Sequence, residues 1–126
     1  MIMGWSLGAG IGFQTADGLG SRLSGFIGIS PWFTLGDVAI EHYPGWVVGR
    51  WLKEDYNSVK SLKSLSCPIL LIHGEDDTII PFSHGERLSR LQPELTTWVP
   101  LKDTGHNDIF SRSQTWEAIR DFLRQI

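Results

Sequence analysis

An α/β fold, with a mostly parallel sheet of about four strands flanked by helices, is predicted by three observations. Four short apolar runs, at 1–5, 25–30, 68–74 and 95–99, alternate with longer stretches whose apolar residues recur at helical spacing. The third run is apolar on both faces, as expected of a parallel strand covered by helices on each side. Glycine, proline and acidic clusters punctuate the boundaries, and alternation of this length implies right-handed crossovers between neighbouring parallel strands.

Each element follows in order. The first strand, 1–5, leads through Ser6 into a glycine-rich helix from 7 to about 19, ended by Asp17-Gly18 and Gly20-Ser21. A buried second strand at 25–30 is stopped by Pro31. Residues 31–66 form a long, variable or cap-like connection holding two helices, one at 46–52 after Pro44-Gly45 and one at 57–65. The central strand at 68–74 precedes a helix at 83–91, a fourth strand at 95–99 and a last helix at 113–124. On that last helix Trp116, Ile119, Phe122 and Leu123 share one stripe.

Composition narrows the function. The 126 residues fit one domain, since domains commonly run to about 100–150 residues. A net charge of −3 offers no basic stripe for phosphates, so nucleic acid is not an expected partner. No apolar run approaches the roughly 20 residues that cross a bilayer, and a soluble chain is expected. The residues leave the compartment open, with a lean to the cytoplasm and membrane association still allowed, because any targeting or lipidation segment of a longer protein would precede Met1. Cys67 is the sole cysteine, which rules out an internal disulfide, and beside Pro68 it reads as a small buried packing residue. No metal is expected, since His73, Asp76 and Asp77 lack a second histidine at ligand spacing.

Chemistry concentrates in three places. Gly4-Trp5-Ser6-Leu7-Gly8 lies between a strand and a helix, the setting of a nucleophile elbow, in which a serine is pushed out at a strand end and its glycines permit close strand-to-helix approach. An acidic turn, Glu75-Asp76-Asp77, leaves the carboxyl end of the central strand, where open α/β sheets place functional groups. Thr104-Gly105-His106-Asn107-Asp108 follows the fourth strand. The chain order is therefore serine, acid, histidine. A serine hydroxyl is a poor nucleophile until an imidazole takes its proton, and the imidazolium then needs a neighbouring anion. His73 reads as a structural residue at a strand end, and His42 and His84 as surface or packing residues. Asn107 and Asp108 are candidates to cap the last helix.

On these residues the chain resembles the α/β-hydrolases nearly end to end. Gly4 to Gly8 looks like the elbow, His73 to Pro81 like the acid turn and Gly105 to Asp108 like the histidine loop. Pro81-Phe82-Ser83-His84-Gly85 and the histidine loop look most like the branch holding depalmitoylases and monoacylglycerol lipases. The resemblance implies Ser6 as nucleophile, His106 as general base and then acid, and Asp77 as the carboxylate that orients His106. It also implies the Leu7 backbone N–H as an oxyanion donor. Asp77 rather than Asp76 fits the family pattern, an aspartate followed by two residues, an aliphatic one and often proline, as in Asp77-Thr78-Ile79-Ile80-Pro81, which leaves Asp76 solvated.

The expected reaction is hydrolysis of a carboxylic ester or thioester, of a small molecule or acyl lipid, through an acyl-enzyme with no cofactor. A serine peptidase and a non-catalytic remnant serving association are the alternatives. In the family the connection after the second strand forms part of a cap or wall. Trp32, Phe33, Trp46 and Trp51 there are either pocket or ordinary core, and Trp5 is the ring expected nearest the site. The strands that precede the elbow in the family, one followed by the loop giving a second oxyanion N–H, are not in this chain. The first strand is thus expected to present a bare edge, open to self-association or to a missing N-terminal half, and the isolated chain to be a weakly active, truncated form.

Overall fold

The computed structural model describes residues 1–34, 36–37 and 57–126. Its centre is a four-stranded, fully parallel sheet in the order β1 (Ile2–Trp5), β2 (Phe26–Ile29), β3 (Ile69–Gly74) and β4 (Thr96–Leu101). Helices among the described residues include α1 (Leu7–Leu19), α2 (Ser58–Ser64), α3 (Phe82–Ser89) and α4 (Ser113–Leu123). The helix expected at 46–52 lies outside the described residues, as do His42, Trp46 and Trp51.

The inner strands are wholly buried because their side chains alternate between two apolar layers. Phe26, Ile69 and Leu71 pack with Phe13 and Ala16 of α1, Leu62 of α2 and Leu88 of α3. Ile27, Ile29, Leu70 and Ile72 pack on the opposite face with Ile109 and with Ile119 and Phe122 of α4. The rings of Phe13 and Phe26 stack at 4.2 Å, fixing α1 against the sheet.

Local signals set the helix ends. Asn57 caps α2, its side chain accepting from the Lys60 amide at 3.1 Å. The Gln92 amide donates to the carbonyls of Leu62 and Leu65, tying the end of α2 to the chain after α3, and Leu62 O also accepts the Leu65 amide at 3.1 Å.

Several expectations change. β4 runs on through Pro100 to Leu101, which its edge position allows, because a proline there leaves no inward ladder bond unmade. The stripe on α4 is narrower than its apolar residues suggested: Ile119 and Phe122 are buried, but Trp116 and Leu123 are 52% and 43% exposed. Asn107 and Asp108 do not cap α4, whose N-cap is Arg112. Asp108 instead accepts from the Gly105 amide at 3.3 Å within the histidine loop.

Along its outer side β1 meets no strand among the described residues, and Met1 and Met3 are each 53% exposed there. Cys67 is buried, and that burial pushes its thiol pKa up, away from thiolate chemistry.

Candidate active site

Parallel order brings the carboxyl ends of all four strands to one rim, and three loops leave that rim carrying the polar residues. The first is the turn from β1 into α1. Ser6 sits at φ 55° and ψ −123°, a strained conformation for a residue with a side chain. Its amide continues the ladder to Ile29 O at 2.9 Å, and its carbonyl accepts from the Ala9 amide at 3.0 Å. Gly4 is needed for this turn, because a Cβ there would stand 2.4 Å from the Gly8 carbonyl oxygen. Gly8 is not needed for space: a Cβ on it would meet nothing within 4 Å. The second close approach is at Gly10, where a Cβ would fall inside the indole of Trp32.

The second loop follows β3. Asp77 is buried, and hydrogen bonds reach both oxygens of its carboxylate. Oδ1 accepts the amides of Ile79 and Ile80 at 2.9 and 2.8 Å. Oδ2 accepts from His106 Nδ1 at 2.7 Å, with His73 Nε2 at 3.4 Å. Burial alone would raise this pKa. The hydrogen bonds from His73, the Ile80 amide and His106 outweigh it and hold the carboxyl well below the usual carboxylate range. Asp76 is exposed, as expected.

The third loop follows β4 and is tied to the second: the Glu75 amide donates to Leu101 O at 2.9 Å and the Asp76 amide to Thr104 O at 3.0 Å. His106 is 8% exposed, and its Nε2 lies 3.0 Å from Ser6 Oγ. Because Asp77 can only accept while ionised, Nδ1 carries the imidazole proton, and Nε2 presents its lone pair to the serine hydroxyl. Trp5 lies 5.3 Å from the His106 ring at 30°, with Phe110 edge-on to Trp5 at 5.3 Å.

Ser6, Asp77, His106 and Trp5 thus come together. The Leu7 amide opens α1, where a first-turn N–H has no intrahelical acceptor. Trp32 is not at an open wall: it is 2% exposed, behind the elbow, with its indole Nε1 donating to Ser6 O at 3.0 Å. Phe33 is half-buried under the Arg87 guanidinium, 3.8 Å from its ring centre. Two histidines do more than their positions in the sequence suggested. His73 Nε2 donates to Ile80 O at 2.8 Å, bracing the acid turn, and buried His84 accepts the Phe33 amide at 3.1 Å. The His73-Gly74 pair just ahead of the acidic turn was the available signal for the first; nothing local marked the second. Among the described residues no cluster of three or more His, Cys, Asp or Glu side chains could hold a metal ion. No described helix is long and apolar enough to cross a membrane.

Comparison with known proteins bears on this arrangement. No family model matches the chain. An uncharacterized protein of Mycobacterium tuberculosis is 34% identical over 98 residues, covering 76% of this chain and 35% of its own length. The alpha/beta hydrolase domain-containing protein aho-3 of Caenorhabditis elegans is 34% identical over 83 residues, covering 64% of this chain and 24% of its own. In sequence the chain is thus similar to alpha/beta hydrolase domain-containing proteins, and its parallel strands flanked by helices are the α/β-hydrolase fold. It spans about a third or less of the length of these relatives. Solved structures agree on the α/β-hydrolase fold. An esterase of Pyrococcus furiosus matches with a TM-score of 0.72 at 16% identity, over 98% of this chain and 52% of that one. A thermophilic esterase of Thermogutta terrifontis matches with a TM-score of 0.71 at 20% identity, over 98% and 64%.

Proposed function

We propose that this α/β-hydrolase chain carries a serine-hydrolase site that cleaves a carboxylic ester or thioester through an acyl-enzyme. The observation that carries the reading is the unbroken hydrogen-bond series from Ser6 Oγ through His106 to Asp77, at 3.0 and 2.7 Å. Ser6 Oγ attacks the acyl carbon while His106 Nε2 takes its proton, and the imidazolium is stabilised by the ionised Asp77. The Leu7 N–H faces the oxyanion of the tetrahedral intermediate. His106 then returns the proton to the leaving oxygen or sulfur, and water repeats the sequence on the acyl-enzyme. The apolar surface of Trp5 beside the imidazole suits an acyl or alkyl group.

Labelling with an active-site-directed fluorophosphonate tests this. Modification at Ser6 that disappears in Ser6→Ala and His106→Ala is expected. A folded sample in which Ser6 is never modified would remove the reading.

A further inference from the structure

The carbonyl of Ser6 is held from two sides, and only one of them is local. The bond from the Ala9 amide is the ordinary opening of a helix, three residues along. The bond from Trp32 Nε1 crosses 26 residues of chain and ties the elbow to the exit of β2. A trans peptide is planar, with its carbonyl and its N–H pointing in opposite directions. Whatever fixes the direction of Ser6 C=O therefore fixes the direction of Leu7 N–H.

We propose that Trp32 is a positioning residue for the oxyanion site, its indole N–H holding the Ser6–Leu7 peptide in the plane that aims the Leu7 N–H at the reacting oxygen. This rests on the reading of Ser6 as nucleophile. Two further features bear it out physically. The Ser6 backbone is in a conformation it would leave if unrestrained, so the peptide plane needs an outside hold. The indole itself cannot swing away, since it is buried against Gly10, where a Cβ would lie 1.9 Å from ring atom Cζ2. The seat for the ring is thus cut into α1 by a missing side chain. Trp32 acts through the peptide and not on substrate.

The test separates the N–H from the ring. Trp32→Phe removes both the donor and part of the packing. Trp32→benzothienylalanine keeps the bicyclic shape and puts sulfur where the N–H stands. Fluorophosphonate labelling of Ser6 reads the oxyanion site, because a phosphoryl oxygen occupies it in the adduct. Losing a whole oxyanion donor costs about a hundred- to a thousandfold, so a misaimed one is expected to slow labelling by about tenfold in both variants. With an ester substrate kcat should fall while KM is unchanged, and the benzothienyl variant should keep the parent melting temperature. Labelling of that variant at the parent rate overturns the proposal, as does a loss of rate matched by a loss of melting temperature, which would mean packing alone. If the parent Ser6 is not labelled at all, the serine-hydrolase reading fails and takes this one with it. A labelled parent with an unaffected variant sinks only the role of Trp32.

Discussion

Asp77→Asn is the substitution whose effect follows most directly from the geometry. Oδ1 of Asp77 accepts two backbone amides, from Ile79 and Ile80, so an asparagine must place its carbonyl there and turn its NH2 toward His106 Nδ1. Nδ1 must then accept, and the ring proton moves to Nε2, the atom 3.0 Å from Ser6 Oγ. A base that already carries its proton cannot take another from the serine. The imidazolium also loses its anion, and His73 Nε2–H faces a donor in place of an acceptor. The expected loss in turnover is about ten-thousandfold, equivalent to roughly 5.5 kcal/mol of barrier. Initial rates of p-nitrophenyl ester hydrolysis and the rate of Ser6 labelling measure it, beside a thermal melt that shows the variant folded. A folded Asn variant within tenfold of the parent would refute the argument from tautomer and charge.

Three other outcomes are expected. Asp77 titrates below its ordinary value in the folded protein, so the unfolded chain binds that proton first on acidification. Its stabilisation is complete above about pH 4 and is lost as pH falls through the lowered native value. Denaturant midpoints of parent and Asp77→Asn should converge in acid, and a gap that widens there would contradict the sign. Ser6→Gly should be more stable to urea than Ser6→Ala by about 1 kcal/mol, because glycine adopts φ 55° and ψ −123° without the steric cost; equal midpoints would show the turn to be unstrained. Leu70→Ala, fully buried on the α4 face of the sheet, should cost about 2–5 kcal/mol in the same assay; a loss below 1 kcal/mol would show that face to be loosely packed.

The residues that meet at the rim were legible for a chemical reason. A hydroxyl, an imidazole and a carboxylate at three strand ends are recognisable by type, whatever lies between them. Strand and helix alternation was legible because each inner strand is apolar on both faces. What could not be read depends on partners distant in the chain. The bond of Trp32 to Ser6 joins residues 26 apart, and that of His84 to Phe33 joins residues 51 apart. The spacing of Trp116 and Leu123 on α4 matches a buried stripe, but only the way the helix docks on the sheet decides which of its positions are covered. Gly8 looked as necessary as Gly4, and only the path of the chain shows that one of them faces open space.

Ser6 rides on one border of the sheet and the loop bearing His106 leaves the opposite border, 100 positions later. The contact between them therefore exists only while every intervening strand is seated. If β4 and α4 detach, the imidazole departs and the hydroxyl is left behind on an otherwise unaltered turn. Reactivity at the serine is in this way a gauge of whether the last quarter of the polypeptide is docked. Fraying there should extinguish it well before the bulk of the molecule melts.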